Sequence, residues 1–193
     1  MERKQIITIA GRLGSGKSST AKRVSDILGY QHFSTGDFAR DIAKERGISL
    51  MDLNKDAESN EEIDKAIDDK SREIRNMDKV VMDSRLGFHF IPESFKVFLD
   101  IPIDISAKRV FEDRKTNPNR QNEDLNSFES IESTKDSLIK RQESETKRYK
   151  DLYKIENVSD PKNFDLILDT SKFNLEEVSQ EVVRSYLDWI NNK

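Results

Sequence analysis

Along the chain, short apolar runs alternate with longer stretches in which apolar residues return every three or four positions. Five runs carry the signature of strands: residues 5–10, 30–33, 79–83, 95–99 and 164–168. Val80, Val81 and Met82 are apolar without interruption, as are Val97, Phe98 and Leu99, and a strand with no polar side is covered on both faces. The stretches between the runs read as helices, the first marked by Ala21, Val24 and Leu28 at helical spacing. The alternation predicts an α/β fold, a doubly wound five-stranded parallel sheet with helices on both faces.

Two segments break this rhythm. Residues 36–76 hold three helical patterns and no strand, and are very polar over 58–70, so a helical insert is expected between the second and third strands. Residues 112–130, centred on Asn117-Pro118-Asn119-Arg120, read as a loop joining two helices, the second running from about 130 to 153. The chain is therefore expected to be one domain: a core of 1–35, 77–111 and 131–193, an insert of 36–76 and a lid of 112–130.

Composition sharpens this picture. Of 193 residues, 34% are hydrophobic and 36% charged, against about 45–50% and 25% in an ordinary globular domain. A small apolar sheet inside a shell of solvated helices fits that balance. The net charge of −4 offers no global attraction to nucleic acid or anionic membranes, so an anionic ligand must be met by local cations. With no cysteine, disulfides and thiolate metal sites are excluded. The first 20 residues contain no leader-type apolar region, and no apolar run reaches the length of a membrane span, so a cytoplasmic monomer is expected.

The first strand runs directly into Gly11-Arg12-Leu13-Gly14-Ser15-Gly16-Lys17-Ser18-Ser19. Glycine, four residues, glycine, lysine and serine between a strand and a helix form a phosphate-binding loop, or P-loop. Glycines let backbone N–H groups turn around a polyphosphate, Lys17 reaches the β and γ oxygens, and the Ser18 hydroxyl ligates Mg²⁺. The helix that begins near Lys17 adds its positive end.

Three further constellations carry chemistry. Ser34-Thr35-Gly36-Asp37 follows the second strand, with Arg40 one turn on; Ser34 and Asp37 suit a helix start, and Arg40 suits a phosphate. The third strand ends in Asp83, followed by Ser84-Arg85-Leu86-Gly87, where open α/β sheets bind ligands. Asp83 suits Mg²⁺ and Arg85 a second phosphate. On the helix from about 130, Leu138, Arg141, Glu145, Arg148 and Leu152 share one stripe, so charges interrupt an otherwise apolar face. That stripe reads as ligand-facing, although Arg141 and Glu145 also suit a simple i,i+4 ion pair. Arg109, Arg114 and Arg120 flank the lid, Arg114 ranking first as a catalytic cation. His32 reads as a strand residue, and His89, between Phe88 and Phe90, as lining either a base pocket or a packed surface cluster.

Together these segments, with Ala57-Glu58, Glu62-Ile63-Asp64 and Arg141-x-x-x-Glu145-x-x-Arg148-Tyr149, resemble nucleoside monophosphate kinases, most closely the short, archaeal-type cytidylate kinases. The resemblance implies a P-loop NTPase fold, ATP and Mg²⁺ as cofactors, and small nucleotides as partners. It implies that Arg40 and Arg85 hold the acceptor phosphate, that Arg141 and Arg148 contact acceptor and transferring phosphates, and that Glu145 lies near the acceptor sugar. Arg12-Leu13 departs from the family's usual loop and places a bulky cation beside it. Leu86 stands where bacterial cytidylate kinases carry an aspartate that reads the cytosine edge and where the archaeal branch, like this chain, has leucine.

The resulting expectation is transfer of the γ-phosphoryl of Mg·ATP to CMP or dCMP, catalysed by positioning and charge neutralisation without a general base. Two alternatives stay open: a kinase for another small acceptor (AMP, UMP or a non-nucleotide), and an ATP-dependent regulatory or assembly factor.

Overall fold

The computed structural model describes residues 4–57, 60–116 and 129–192. Its sheet comprises β1 (Ile6–Gly11), β2 (Gln31–Ser34), β3 (Val80–Asp83), β4 (Phe95–Asp100) and β5 (Leu166–Asp169). The strands lie in the order β2-β3-β1-β4-β5, and every neighbouring pair is parallel. All five expected strands form, with ends displaced by at most two residues. The helices are α1 (Lys17–Leu28), α2 (Thr35–Arg46), α3 (Leu50–Asp56), α4 (Glu61–Ile74), α5 (Gly87–Phe90), α6 (Ile103–Thr116), α7 (Ile131–Tyr153) and α8 (Leu175–Asn191). Between β3 and β4 the expected helix is reduced to the single turn of α5.

The apolar runs are buried on both sides because successive side chains in a strand face opposite ways. Ile6, Ala10, Val80, Met82 and Phe98 point to one face, where Phe88, Phe90 and Tyr149 cover them. Ile7, Ile9, Val81, Val97 and Leu99 point to the other, under Val24 of α1 and Val178, Val182 and Tyr186 of α8. The three insert helices, α2 to α4, pack around a separate small core of Ala43, Leu53, Ala57 and Ile63.

The topology decides where a ligand can sit. From β1 the chain crosses to β2 and β3 on one side, and later to β4 and β5 on the other, so β1 marks the switch point of the sheet. Register aligns Ile9 of β1 with Asp83 of β3, and Asp83 with Ser34 of β2. The residues that follow these three strands therefore converge at one edge. Among the described residues, no helix is long and apolar enough to cross a membrane.

Candidate active site

Beyond β1 the chain turns tightly. Gly11 has φ +152°, and a Cβ there would lie 2.3 Å from the Leu99 carbonyl oxygen of β4, so no other residue fits this approach. Gly16, at φ 85°, forms the left-handed N-cap of α1. Ser34, Ser49, Asn60, Ser130 and Asn174 cap their helices through side chains. By contrast, α1 has no side-chain cap and no acidic residue in its first turn. Its first N–H groups are left for an anion.

Lys17 lines the cleft above this loop, its Nζ donating to the Arg12 carbonyl at 3.0 Å. Burial, then the positive charge of Arg85, push its pKa down to about 8. A lysine so placed gains most from a phosphate that restores its charge. Ser18 and Ser19 are exposed beside it. Arg12 turns away and binds Asp100 at the end of β4 (Nε–Oδ1 2.6 Å), which leaves the loop interior clear of the expected bulky cation.

The Ser18 hydroxyl donates to Asp83 Oδ2 at 2.5 Å. No group of three or more histidines or carboxylates suited to a metal occurs among the described residues. Mg²⁺, however, is usually held by one or two protein oxygens, water and substrate phosphates, and the adjacent oxygens of Ser18 and Asp83 fit that donor set. Ser34 caps α2 from beneath, its Oγ accepting from the Asp37 amide and lying 3.4 Å from Asp83 Oδ2. Thr35 and Gly36 line the cleft, whereas Asp37 is exposed and pairs with Arg40 at 2.5 Å.

The charged stripe of α7 faces this cleft. Glu145 is buried, at 9% exposure, and its Oε1 accepts from both Arg85 and Arg141 (the latter at 3.0 Å). Burial works to raise the Glu145 carboxyl, but Arg85 and then Arg141 hold it below its usual range. Two arginines on one carboxylate leave a net positive charge directed at the cleft. Arg148 pairs with Asp64 of α4 (Nε–Oδ2 3.1 Å). The Arg141–Glu145 ion pair of the plainer reading is thus present, as one half of a larger network.

The cleft, of about 380 Å³, gathers Gly14, Lys17, Ser18, Arg40, Asp83, Arg85, Arg141 and Arg148. It does not include Arg114. Asp113, one position round α6, lines the cleft instead, because a helix turns by about 100° per residue. Arg109 binds Thr170 after β5 (Nη2 to the carbonyl, 2.8 Å). Arg120, Glu58 and most of the expected lid lie outside the described residues. His32 lies in β2, and His89 is exposed, its ring 5.6 Å from that of Tyr153. A second cleft of about 630 Å³, lined by Arg12, Leu13, Asp100, Ile139 and Gln142, is larger but lacks the convergent cations.

Among the cleft residues that the sequence does not mark are Asp68 and Ser71 of α4 and Tyr153 at the end of α7. Asp64, Asp68 and Ser71 are buried at i, i+4 and i+7 beside Ile63, Ile67 and Ile74. This polar stripe along an apolar face is the same signal that marked α7.

Comparison with known proteins agrees with this geometry. The model of the cytidylate kinase-like family matches residues 6–172. Cytidylate kinase of Natronomonas pharaonis is 34% identical over 187 residues, covering 94% of this chain and 90% of that protein. The cytidylate kinase of Haloarcula marismortui is 35% identical over 187 residues, with the same coverage. Among solved structures, shikimate kinase from Bacteroides thetaiotaomicron superposes with a TM-score of 0.64 at 13% identity, covering 92% of this chain and 96% of that one, a likeness of fold alone. The loop, the switch-point cleft and these relatives lead to one conclusion: the chain belongs to the cytidylate kinase-like family and is an ATP-dependent phosphotransferase of the P-loop fold.

Proposed function

We propose that this enzyme is a nucleoside monophosphate kinase that transfers the γ-phosphoryl of Mg·ATP to CMP or dCMP, giving ADP and CDP or dCDP. The observation that carries this reading is the convergence of Arg85, Arg141 and Arg148 on the same cleft as Lys17, held there by Glu145 and Asp64. A protein that only binds and hydrolyses ATP does not need these cations beyond its P-loop. The names of the relatives at 34–35% identity support cytidine as the acceptor nucleoside.

Each group then has a role. The α1 N-terminus, the amides of Gly14 to Ser19 and Lys17 bind the ATP phosphates. Ser18 and Asp83 would hold Mg²⁺, which supplies charge neutralisation on the phosphate oxygens when bound. Arg40, with Thr35 and Gly36, and Arg85 take the acceptor phosphate, while Arg141 and Arg148 bridge it to the transferring group. Glu145 is a positioning residue: its carboxylate fixes two guanidinium groups before substrate arrives, so little reorganisation is left for the reaction. The acceptor phosphate is anionic near neutral pH and attacks without a general base. Arg114 is retained as a lid cation only in this proposal.

The test is acceptor-dependent ADP formation with Mg·ATP and CMP, dCMP, UMP, AMP or GMP. Strong turnover with CMP and dCMP supports the reading. ATP hydrolysis that is slow and indifferent to every acceptor would overturn it.

A further inference from the structure

The cleft does not end at the arginines. Along α7, Arg141 and Tyr153 stand twelve residues apart, roughly 18 Å at 1.5 Å per residue. Arg141 lies at the Lys17 end, where the two charges act on each other. At the other end the wall changes character: Tyr153 and Phe90 line it, their rings meeting edge to face at 5.7 Å, with the Arg72 guanidinium lying 5.3 Å from the centre of the Phe90 ring. A phosphate belongs at the first end and a flat, mostly apolar group at the second.

One charged side chain of this far end does not pair with an arginine. Asp64 engages Arg148, whereas Asp68, one turn further along α4, is 6% exposed and accepts from the Tyr153 hydroxyl on Oδ2 at 2.6 Å. No hydrogen bond reaches its other oxygen, Oδ1, among the described residues. Burial and the bond to Asp68 push the Tyr153 phenol far above its ordinary value, so it remains a donor. Burial also raises the Asp68 carboxyl to about 6, against the pull of Tyr153 and Arg72, so it is ionised at neutral pH. A buried carboxylate with one oxygen fixed and one open is an acceptor-only probe.

We propose that Asp68, anchored by Tyr153, reads the base of the acceptor, selecting a pyrimidine with an exocyclic amine over its oxo counterpart. The inference rests on the nucleoside monophosphate kinase reading. An amine donates to Oδ1, whereas an oxo group would face it with a second acceptor and leave both groups unpaired in a buried site. Asp68 is thus a specificity-determining residue, and Tyr153 positions it.

The experiment compares kcat/KM for CMP and UMP in the wild type, Asp68→Asn and Tyr153→Phe. The wild type should prefer CMP by at least about 100-fold, the scale of rejecting a mispaired polar group. Asn offers a donor to the oxo group, so the CMP/UMP ratio should fall at least about 10-fold, one hydrogen bond's worth. Tyr153→Phe frees the carboxylate without removing it and should lower the ratio by less. Should the Asn variant not fold, Asp68→Ala removes the acceptor and gives the same fall. A wild-type ratio near unity, or variants that lose CMP and UMP turnover equally, would overturn the inference while leaving the kinase reading intact. No turnover with any acceptor would remove the kinase reading, and this inference with it.

Discussion

Replacing Asp68 by asparagine should stabilise the free enzyme at neutral pH, because the buried carboxylate is held at a cost. Asn keeps the shape of the side chain and an oxygen for the Tyr153 hydroxyl, now 2.6 Å from Asp68 Oδ2, but carries no charge. Burial lifts the Asp68 carboxyl from 3.8 to about 6. At about 1.4 kcal/mol per pH unit, that difference corresponds to about 3 kcal/mol of lost stability once the group is ionised in both states. Allowing for relaxation around the site, a gain of about 1–3 kcal/mol is expected above pH 7. Because the folded pKa is raised, the wild type suffers no penalty below about pH 4, loses stability between 4 and 6, and reaches its full deficit above that. Urea unfolding of both proteins between pH 4 and 8 measures this directly. The variant's advantage should be near zero at the acid end and grow through pH 5 to 6. An advantage that does not change with pH, or a variant less stable at pH 7, would refute the reasoning.

Other outcomes follow from the same geometry. Lys17→Ala should lower kcat by at least about 10³-fold, on the scale of losing a preorganised cation, with an unfolding midpoint no lower than that of the wild type at pH 7, because burial already holds the Lys17 charge at a cost. Because the free Lys17 has a pKa of about 8 and phosphates restore its charge, ATP binding should take up little proton from this group at pH 7 and close to one at pH 9. Calorimetry in two buffers of different ionisation enthalpy checks this, and the Lys17→Ala variant should lose the rise. Glu145→Gln leaves Arg85 and Arg141 facing each other without their shared carboxylate, so a loss of about 3 kcal/mol is expected in denaturant titration. Gly11→Ala must place a methyl 2.3 Å from the Leu99 carbonyl and should yield no folded protein in circular dichroism at 37 °C.

What could be read from the residues depended on how local the cause was. The five strands, the P-loop and the helix at Lys17 are written in contiguous segments, and the structure has them with ends moved by at most two residues. The α7 stripe was legible because three charges stood between Leu138 and Leu152 on one face. The matching stripe of α4 was hidden: Asp64 and Asp68 stand among Glu61, Glu62, Asp69 and Lys70, all exposed, and only packing against α5 and α7 separates the buried carboxylates from the solvated ones. Glu145 finds its partner Arg85 sixty residues away, a contact that no local pattern announces. Arg12 offered no clue to Asp100, eighty-eight residues on.

The central claim is transfer of phosphoryl to a nucleotide, and following the γ-phosphate itself tests it most directly. With ATP labelled at the γ position and CMP as acceptor, label should appear in CDP in step with ADP, and Arg148→Ala should suppress that transfer. Label released as inorganic phosphate at the same rate with and without CMP would contradict the account.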